Sequence, residues 1–374
     1  MNQKQQVFIL FAVVAGCLFS TGCVSYLHSL LPLAAYPEIQ LQSGATLPAI
    51  PDYKFEFEDF NATLSSPVDP EVFAGARSAK KEVKIYDTSI DDDEWRSGLY
   101  RAMTTDPAQD RFFEDLTNEF KGIRTLHNLN SDEYLELMAV FVQSIPYKSQ
   151  NLSSPKYPIE TYADREGDCD DKSMLLAGLL AHEGYKVALL YFGPEQHMAV
   201  GVACPERGYR DTGYAFIEAT RVSLVGTGAD SLAGDITLAS DPLVIPIGDG
   251  TLGYTRCNET NAIYAELTDL GAHLEEIRKD LGERESSLKS RRSDLEDMNL
   301  AIGQMESIGD YSGYNRLVSE YNKKVGDYNQ ELDAYSKISE KYVRLAERYN
   351  YIIAHEHDRA GTYHWLFGSD ILIP

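Results

Sequence analysis

A seven-residue repeat runs through the last third of the chain, from about residue 260 to residue 350. In its first half, apolar residues recur at alternating steps of four and three, the spacing of a helix that packs along its length on another helix. Two rows of residues have this spacing, and arginines take two positions of the first row. The rows are Ile263, Leu270, Ile277, Arg284, Arg291, Met298 and Met305, and Leu267, Leu274, Leu281, Leu288, Leu295 and Ile302. The spacing therefore predicts one long helix with a continuous contact face.

The second half of the repeat is a stripe of tyrosines at strict seven-residue steps. Its members are Tyr314, Tyr321, Tyr328, Tyr335, Tyr342 and Tyr349. A glycine-bounded turn separates the two halves, so we predict an antiparallel coiled-coil hairpin over residues 257–357. At helical spacing the stripe indicates a packing seam, in which Arg291 lies near Tyr328 and Arg284 near Tyr335. We expect the hairpin to act as a spacer or as a docking arm for a protein partner.

A cysteine lies at the predicted start of a helix in the middle of the chain. It belongs to the segment Gly-Asp-Cys-Asp-Asp at residues 167–171, and apolar residues follow at helical spacing as far as residue 182. A neighbouring aspartate can accept hydrogen bonds from the first amides of the helix, so Cys169 is expected in its first turn. The positive end of the helix dipole favours a thiolate there, which indicates a nucleophile.

Three predicted strands follow this helix. They cover residues 187–192, 196–202 and 214–220. His197 begins the second strand and Glu218 lies near the end of the third. Consecutive antiparallel strands place these two side chains beside each other, facing the helix that carries Cys169. A nucleophile, a base and an orienting carboxylate are the groups that thiol acyl transfer requires.

This ordered pattern resembles the transglutaminase-like superfamily. The matching elements, within about residues 132–220, are Gly-Asp-Cys-Asp-Asp, a helix ending in Ala-His-Glu-Gly-Tyr, a histidine at the head of an apolar strand, and Phe-Ile-Glu-Ala-Thr. The resemblance implies an α+β protein whose papain-like core packs helices on an antiparallel sheet, here over residues 81–256. It implies Cys169 as the nucleophile, His197 as general base and acid, and Glu218 as the partner of His197 in place of the more common aspartate.

The resemblance also implies a reaction. We expect acyl transfer through a thioester on Cys169, with a protein or peptide substrate and no cofactor. The Cys169 N–H helps to stabilise the oxyanion, and Gln143 and Gln150 are candidates for a second donor. Hydrolysis of a peptide or amide is favoured over transfer to an amine, because water is abundant at an exposed site.

Three aspartates beside the cysteine argue against a reactive thiol. Asp168, Asp170 and Asp171 surround it with negative charge, which raises a thiol pKa, so His197 would have to compensate as an imidazolium. The alternative is a catalytically inactive transglutaminase-like module for binding or assembly, in which the hairpin carries the function.

Composition excludes some partners and metals. The formal net charge of −24 opposes binding to nucleic acid. The sequence has no Cys-x-x-Cys pair, so we expect no structural zinc. The histidines His355, His357 and His364 do not predict a metal site, because side chains two residues apart on a helix point in different directions.

The first residues have the pattern of an export signal. An apolar run at residues 7–19 precedes Ser-Thr-Gly-Cys, which predicts a lipoprotein signal peptide at residues 1–22 and lipidation at Cys23. Cys17 is the alternative lipidation site, and an uncleaved membrane anchor is the alternative to both. Each reading places the protein outside the cytoplasm, membrane-anchored in the cell envelope.

The remaining segments complete the expected organisation. Helices are predicted at residues 94–103, 107–126 and 132–145, and Ser131 is the candidate cap of the third. Residues 23–80 are rich in Pro, Ser and acidic residues and are predicted to be a tether with one edge strand. Residues 224–253 are rich in Gly and Asp and predict a loop-rich closing segment, and residues 358–374 form an apolar C-terminal tail. Cys204 and Cys257 either form one disulfide, as an exported protein permits, or stay as two buried thiols.

Overall fold

The computed structural model describes residues 33–149, 154–205, 208–226 and 237–368. It confirms a mixed α+β protein with small antiparallel sheets and a long helical region at the C-terminal end. The chain divides into two compact units, Met1–Thr255 and Arg256–Pro374. This boundary falls one residue from the start predicted for the hairpin.

The first unit contains six helices and eight strands among its described residues. The helices are α1 (Pro70–Ser78), α2 (Asp92–Thr104), α3 (Asp110–His127), α4 (Ser131–Ser144), α5 (Pro158–Asp164) and α6 (Cys169–His182). The strands are β1 (Ala34–Ala35), β2 (Tyr53–Phe57), β3 (Phe60–Leu64), β4 (Lys84–Ile85), β5 (Lys186–Phe192), β6 (His197–Ala203), β7 (Tyr214–Ile217) and β8 (Leu243–Asp249). Single 3₁₀ turns at Pro107–Gln109 and Tyr209–Asp211 complete the list.

Helix α6 is the centre of this unit. Residues 174–180 are apolar around its whole circumference, so this part must be covered on every side, and all seven residues are buried. The helix packs on β5, β6 and β8 on one side and on α3, α4 and α5 on the other. Gly178 admits α3, because a Cβ at this position would lie 2.3 Å from Phe113 Cζ. Truncation of a fully buried leucine here, such as Leu176, to alanine costs ~2–5 kcal/mol of stability.

The main sheet has four antiparallel strands in the order β7-β6-β5-β8. Strand β5 is central and pairs with β6 on one side and β8 on the other, with Leu189 opposite both Val200 and Ile245. The prediction that residues 224–253 form only a closing loop was therefore wrong, since β8 is part of the sheet. Pro246 argued against a strand in the sequence, but a proline is tolerated on an edge strand, where its missing N–H faces away from the ladder.

The described part of the predicted tether is folded. Strands β2 and β3 form an antiparallel hairpin, and Tyr53, Phe55 and Phe57 point into the core. The Tyr53 and Phe55 rings lie 5.1 and 5.6 Å from the Phe141 ring of α4. The alternation of aromatic and acidic residues thus marks a half-buried strand pair. One edge strand was predicted in residues 23–80, but the prediction of a tether was wrong for this part, because the strand pair belongs to the core.

The helices before Cys169 follow the predicted order. The segment predicted as a helix at 94–103 is α2, and the one predicted at 107–126 is the first 3₁₀ turn followed by α3. Helix α4 begins at Ser131, which the sequence suggested as its cap. The capping residue is instead Asn130, whose side chain accepts from the N–H groups of Asp132 and Glu133.

The second unit consists of α7 (Cys257–Ser307), α8 (Tyr311–Ala354) and α9 (Arg359–Phe367). Ion pairs join Arg348 to Glu266 at 2.9 Å and Arg284 to Glu331 at 2.8 Å. Glu266 lies near the start of α7 and its partner Arg348 near the end of α8, so the two helices run antiparallel. The covered positions of α7 include Ile263, Leu270, Ile277 and Leu288 of the repeat. At 1.5 Å per residue α7 is about 75 Å long.

Two details of the hairpin differ from the prediction. Arg284 binds the carboxylates of Asp280 and Glu331 instead of stacking on Tyr335, and Arg291 is exposed and donates to Ser287. A carboxylate within reach of a guanidinium gives a charge-assisted hydrogen bond, which is stronger than contact with a ring. The described part of the apolar tail is α9, whose Trp365 stacks on Tyr351 at 3.9 Å.

The remaining predictions concern the export signal, membrane anchoring and the disulfide. The signal peptide, Cys17 and Cys23 lie outside the described residues. Among the helices that the structure describes, none combines the length and hydrophobicity of a membrane span. The disulfide between Cys204 and Cys257 stays a prediction.

Candidate active site

Cys169 is the first residue of α6, where the sequence predicted it. Asp168 caps the helix, because its side chain accepts from the Asp171 N–H while the Asp171 side chain accepts from the Asp168 N–H. Gly167 is required before the cap, since a Cβ there would lie 2.8 Å from that of Asp171. This reciprocal cap fixes the cysteine at the positive end of the helix.

The thiol lies against the first residues of β6. Its Sγ is 3.9 Å from the Gln196 carbonyl oxygen, and the Met198 N–H donates to it. Gln196 has a left-handed backbone with φ of 50°, which brings the chain round the turn into β6. Because Gln196 and Met198 flank His197, the Cys169 thiol and the histidine belong to one local cluster.

His197 and Glu218 are in direct contact. The His197 Nε2 lies 3.1 Å from Glu218 Oε2, and both side chains are buried. The other oxygen, Oε1, accepts from the N–H of Thr220 at 2.7 Å and from its hydroxyl at 2.6 Å. Burial alone would raise the pKa of Glu218, but the hydrogen bonds from His197 and Thr220 lower it overall. An ionised Glu218 accepts only, so the ring proton of neutral His197 is on Nε2 and Nδ1 carries the lone pair.

The surroundings of Cys169 favour the neutral thiol. Burial raises its pKa to about 12, with further contributions from the charges of Asp170 and Asp168, and these outweigh the lowering by the Met198 and Asp170 N–H groups. Burial also raises the pKa of Asp170, as do Asp168 and Asp171. The acidic neighbours thus act in the direction predicted from the sequence.

Gln143, predicted as a second oxyanion donor, has another role. Its side chain is buried, and its Nε2 donates to the carbonyls of Glu218 at 2.7 Å and Ser223 at 3.0 Å. Its Oε1 accepts from the Ser223 N–H at 3.3 Å. Gln143 therefore holds the backbone that carries Glu218, and its amide has no hydrogen left for a substrate. Gln150, the other candidate, lies outside the described residues.

Lys172 is the residue that sequence reasoning missed. It lies one turn after Cys169, is completely buried, and donates to three carbonyl oxygens behind the site. The signal was present, because a lysine three residues after the cysteine falls among the apolar positions of a helix that is buried all round.

Aromatic side chains lie near the thiol. The Tyr100 hydroxyl donates to Asp170 at 3.4 Å, and the Tyr100 ring lies 6.2 Å from that of Tyr191. The Arg96 guanidinium covers Tyr191 at 5.0 Å. Tyr147, whose backbone pairs with Gly167, is 52% exposed. A substrate that reaches Cys169 would therefore contact rings as well as the aspartates.

The three aspartates also have the spacing of a cation site. One oxygen each from Asp168, Asp170 and Asp171 lies within 4.8 Å of the others. The carboxylates of these aspartates already accept hydrogen bonds, however. Asp168 and Asp171 cap the helix, Asp171 also accepts from the Lys156 N–H at 2.6 Å, and Asp170 accepts from the Tyr100 hydroxyl. The cluster is accounted for by the start of α6.

Comparison with known proteins adds no family to this geometry. A scan against protein-family models and searches of curated proteins and of solved structures found no match to this chain. The arrangement of Cys169, His197 and Glu218 is therefore the basis on which a function can be proposed.

Proposed function

We propose that the protein is a transglutaminase-like cysteine enzyme with a papain-like core, and that it cleaves a peptide or side-chain amide through a thioester on Cys169. The observation that carries the proposal is the contact of His197 Nε2 with the Glu218 carboxylate, beside a thiol at a helix N-terminus. The Glu218 contact leaves His197 Nδ1 as the basic nitrogen, which is the requirement for a histidine that takes a proton from a thiol.

The reaction follows from these positions. Sγ of Cys169 attacks the carbonyl carbon while the thiol proton passes to His197 Nδ1, and the carbonyl electrons move to the oxygen. The Cys169 N–H, a free first-turn amide of α6, donates to this oxyanion. When the intermediate collapses, the C–N bond breaks and the imidazolium returns its proton to the leaving amine. Water then attacks the thioester, with His197 taking its proton, and releases the carboxylic acid and the thiol.

The protonation state of the thiol decides how attack begins. With its pKa raised to about 12, Cys169 holds its proton in the free protein at neutral pH. A preformed thiolate–imidazolium pair is then not the resting state, and His197 acts as a general base during attack. A bound substrate carbonyl displaces water from the site. The thiol proton then has to pass to His197 for the reaction to proceed.

The setting of the enzyme is part of the proposal. The N-terminal signal with Cys23, or alternatively Cys17, anchors the protein in the cell envelope, where it meets protein or peptide substrates. The hairpin of α7 and α8 offers a long surface for a protein partner. Hydrolysis is proposed over amine transfer because no described group of the site is arranged to bind an acceptor amine.

A second candidate function is a non-catalytic module for binding or assembly in the envelope. The raised pKa of the Cys169 thiol favours it, because a half-buried thiol held in its neutral form beside two carboxyl groups reacts slowly. In that case the hairpin is the working part, and the cysteine is a packed residue at a helix start.

Alkylation of Cys169 distinguishes the cysteine enzyme from the non-catalytic module. The native protein and a His197→Ala variant are treated with iodoacetamide across pH 6–10, and labelling of Cys169 is followed by mass spectrometry. We expect the native thiol to label at least about tenfold faster than that of the variant near pH 7.5, because His197 removes the proton. Equal rates at every pH would reject the enzyme and support the binding module.

A further inference from the structure

Lys172 makes a complete set of hydrogen bonds behind the active site. Its Nζ lies 2.6 Å from the carbonyl oxygen of Ile145, 3.2 Å from that of Gln143 and 3.3 Å from that of Thr220. The side chain is 0% exposed. A buried lysine is rare unless its charge is compensated, so this one calls for an explanation.

The three contacts require the charged form. An ammonium group has three donors and no acceptor, which matches three carbonyl oxygens. A neutral amine would turn its lone pair towards one of them. Burial lowers the pKa of Lys172 to about 8, while the Glu218 charge raises it, so the group is still mainly protonated at pH 7.

Two of the three acceptors belong to residues that hold Glu218. Thr220 accepts from Lys172 through its carbonyl and donates to Glu218 Oε1 through its N–H and hydroxyl. Gln143 accepts from Lys172 through its carbonyl, and its side chain donates to the Glu218 carbonyl. Lys172 therefore lies at the junction of α4, α6 and the segment that follows β7.

We propose that Lys172 is a positioning residue of the active site, which fixes the segment carrying Glu218 against the helix that begins at Cys169. The inference rests on the proposed function for its purpose, since an oriented Glu218 matters because it orients His197. The hydrogen-bond network itself is independent of catalysis. Its loss would release Glu218 from His197 even in a protein whose thiol is inert.

The test observes the His197–Glu218 hydrogen bond directly. In protein labelled with ¹⁵N-histidine, the His197 Nε2–H signal is assigned by its absence in a His197→Gln variant, and its exchange with water is measured by NMR. In Lys172→Met we expect this exchange to be at least about tenfold faster than in the native protein, because the network no longer holds the acceptor.

A matched control is available in Lys156. This lysine is also buried, but its Nζ binds Asp164 and the Glu166 carbonyl instead of the segment that holds Glu218. Lys156→Met should leave the His197 exchange within about twofold of the native rate, since local opening is confined to the altered region. If Lys172→Met does not fold, Lys172→Gln takes its place, because it keeps two donors and removes the charge.

The outcomes are distinct. Unchanged exchange in a folded Lys172 variant, or equal acceleration in Lys156→Met, would overturn the proposal, and so would failure of both Lys172 variants to fold, which would assign the residue to the core alone. If instead iodoacetamide labelling of native Cys169 proves independent of His197, the proposed enzyme fails, while the exchange result still decides the role of Lys172.

Discussion

Replacement of Glu218 by glutamine tests the proposed site most sharply. The carboxylate accepts from His197 at 3.1 Å and twice from Thr220, at 2.7 and 2.6 Å. The amide oxygen of the introduced glutamine can keep the bonds from Thr220, so its NH₂ group is the part that faces His197. A donor in this place forces the ring proton from Nε2 to Nδ1, and Nδ1 then cannot act as a base.

The expected size of the effect follows from the bond that is lost. A hydrogen bond to a charged group contributes ~1.5–3 kcal/mol, which corresponds to about 10–150-fold in rate at 25 °C. Iodoacetamide labelling of Cys169 in Glu218→Gln near pH 7.5 should fall by this factor. Circular dichroism and urea unfolding show whether the variant is folded under the same conditions.

Glu160→Gln is the control for a general loss of stability. Glu160 is also a buried carboxylate, and it accepts from the Tyr157 N–H at 2.9 Å and from Lys81 at 2.6 Å, within and beside α5. We expect Glu160→Gln to lose stability without slowing the labelling of Cys169. Native labelling rates in a folded Glu218→Gln protein would refute the assignment of His197 as a base oriented by Glu218.

Four further predictions follow from the structure. Because the Asp170 charge is the main contributor after burial to the raised thiol pKa, Asp170→Asn should increase labelling of Cys169 roughly tenfold, measured at pH 10 since burial, Asp168 and Asp171 raise the pKa of Asp170 itself. Native labelling should still rise with pH at pH 9, below the thiol pKa of about 12. For the same electrostatic reason a cationic methanethiosulfonate should modify Cys169 faster than an anionic one of similar size, and equal rates would mean that the aspartates are neutral. Gly178→Ala should lower the free energy of unfolding by ~1–3 kcal/mol, measured in urea, because the added Cβ would lie 2.3 Å from Phe113 Cζ. Peptide mapping without reduction should recover Cys204 joined to Cys257, and separate alkylation of both would exclude the disulfide.

Local patterns predicted the elements that carry the site. Helix α6 and strands β5 and β6 were found within one to four residues of their observed bounds, since each has its own periodicity and its own end signals. Strand β8 and the β2–β3 hairpin were missed as parts of the core because their burial depends on partners far away in the sequence. Ile245 becomes a sheet residue by pairing with Leu189, and Phe55 becomes a core residue by packing on Phe141.

Chemistry was less predictable than position. Residue types and order were enough to predict that His197 and Glu218 lie side by side and that Cys169 begins a helix. The use of Gln143 was not predictable, since an amide serves equally well as an oxyanion donor or as a backbone clamp, and only its contacts with Glu218 and Ser223 distinguish the two. Lys172 illustrates the reverse case, in which a charged residue in an apolar pattern was a signal of a buried network.

The aspartates around Cys169 connect the fold to the chemistry. Asp168 and Asp171 form the reciprocal cap that starts α6, and that start is what places the thiol against β6. The charge of Asp168, with that of Asp170, also raises the pKa of the thiol, so a residue that caps the helix also helps to keep the thiol protonated. At such a site the thiol has to be activated by His197. The orientation of His197, set by Glu218 and by the network behind it, is therefore the property on which reactivity depends.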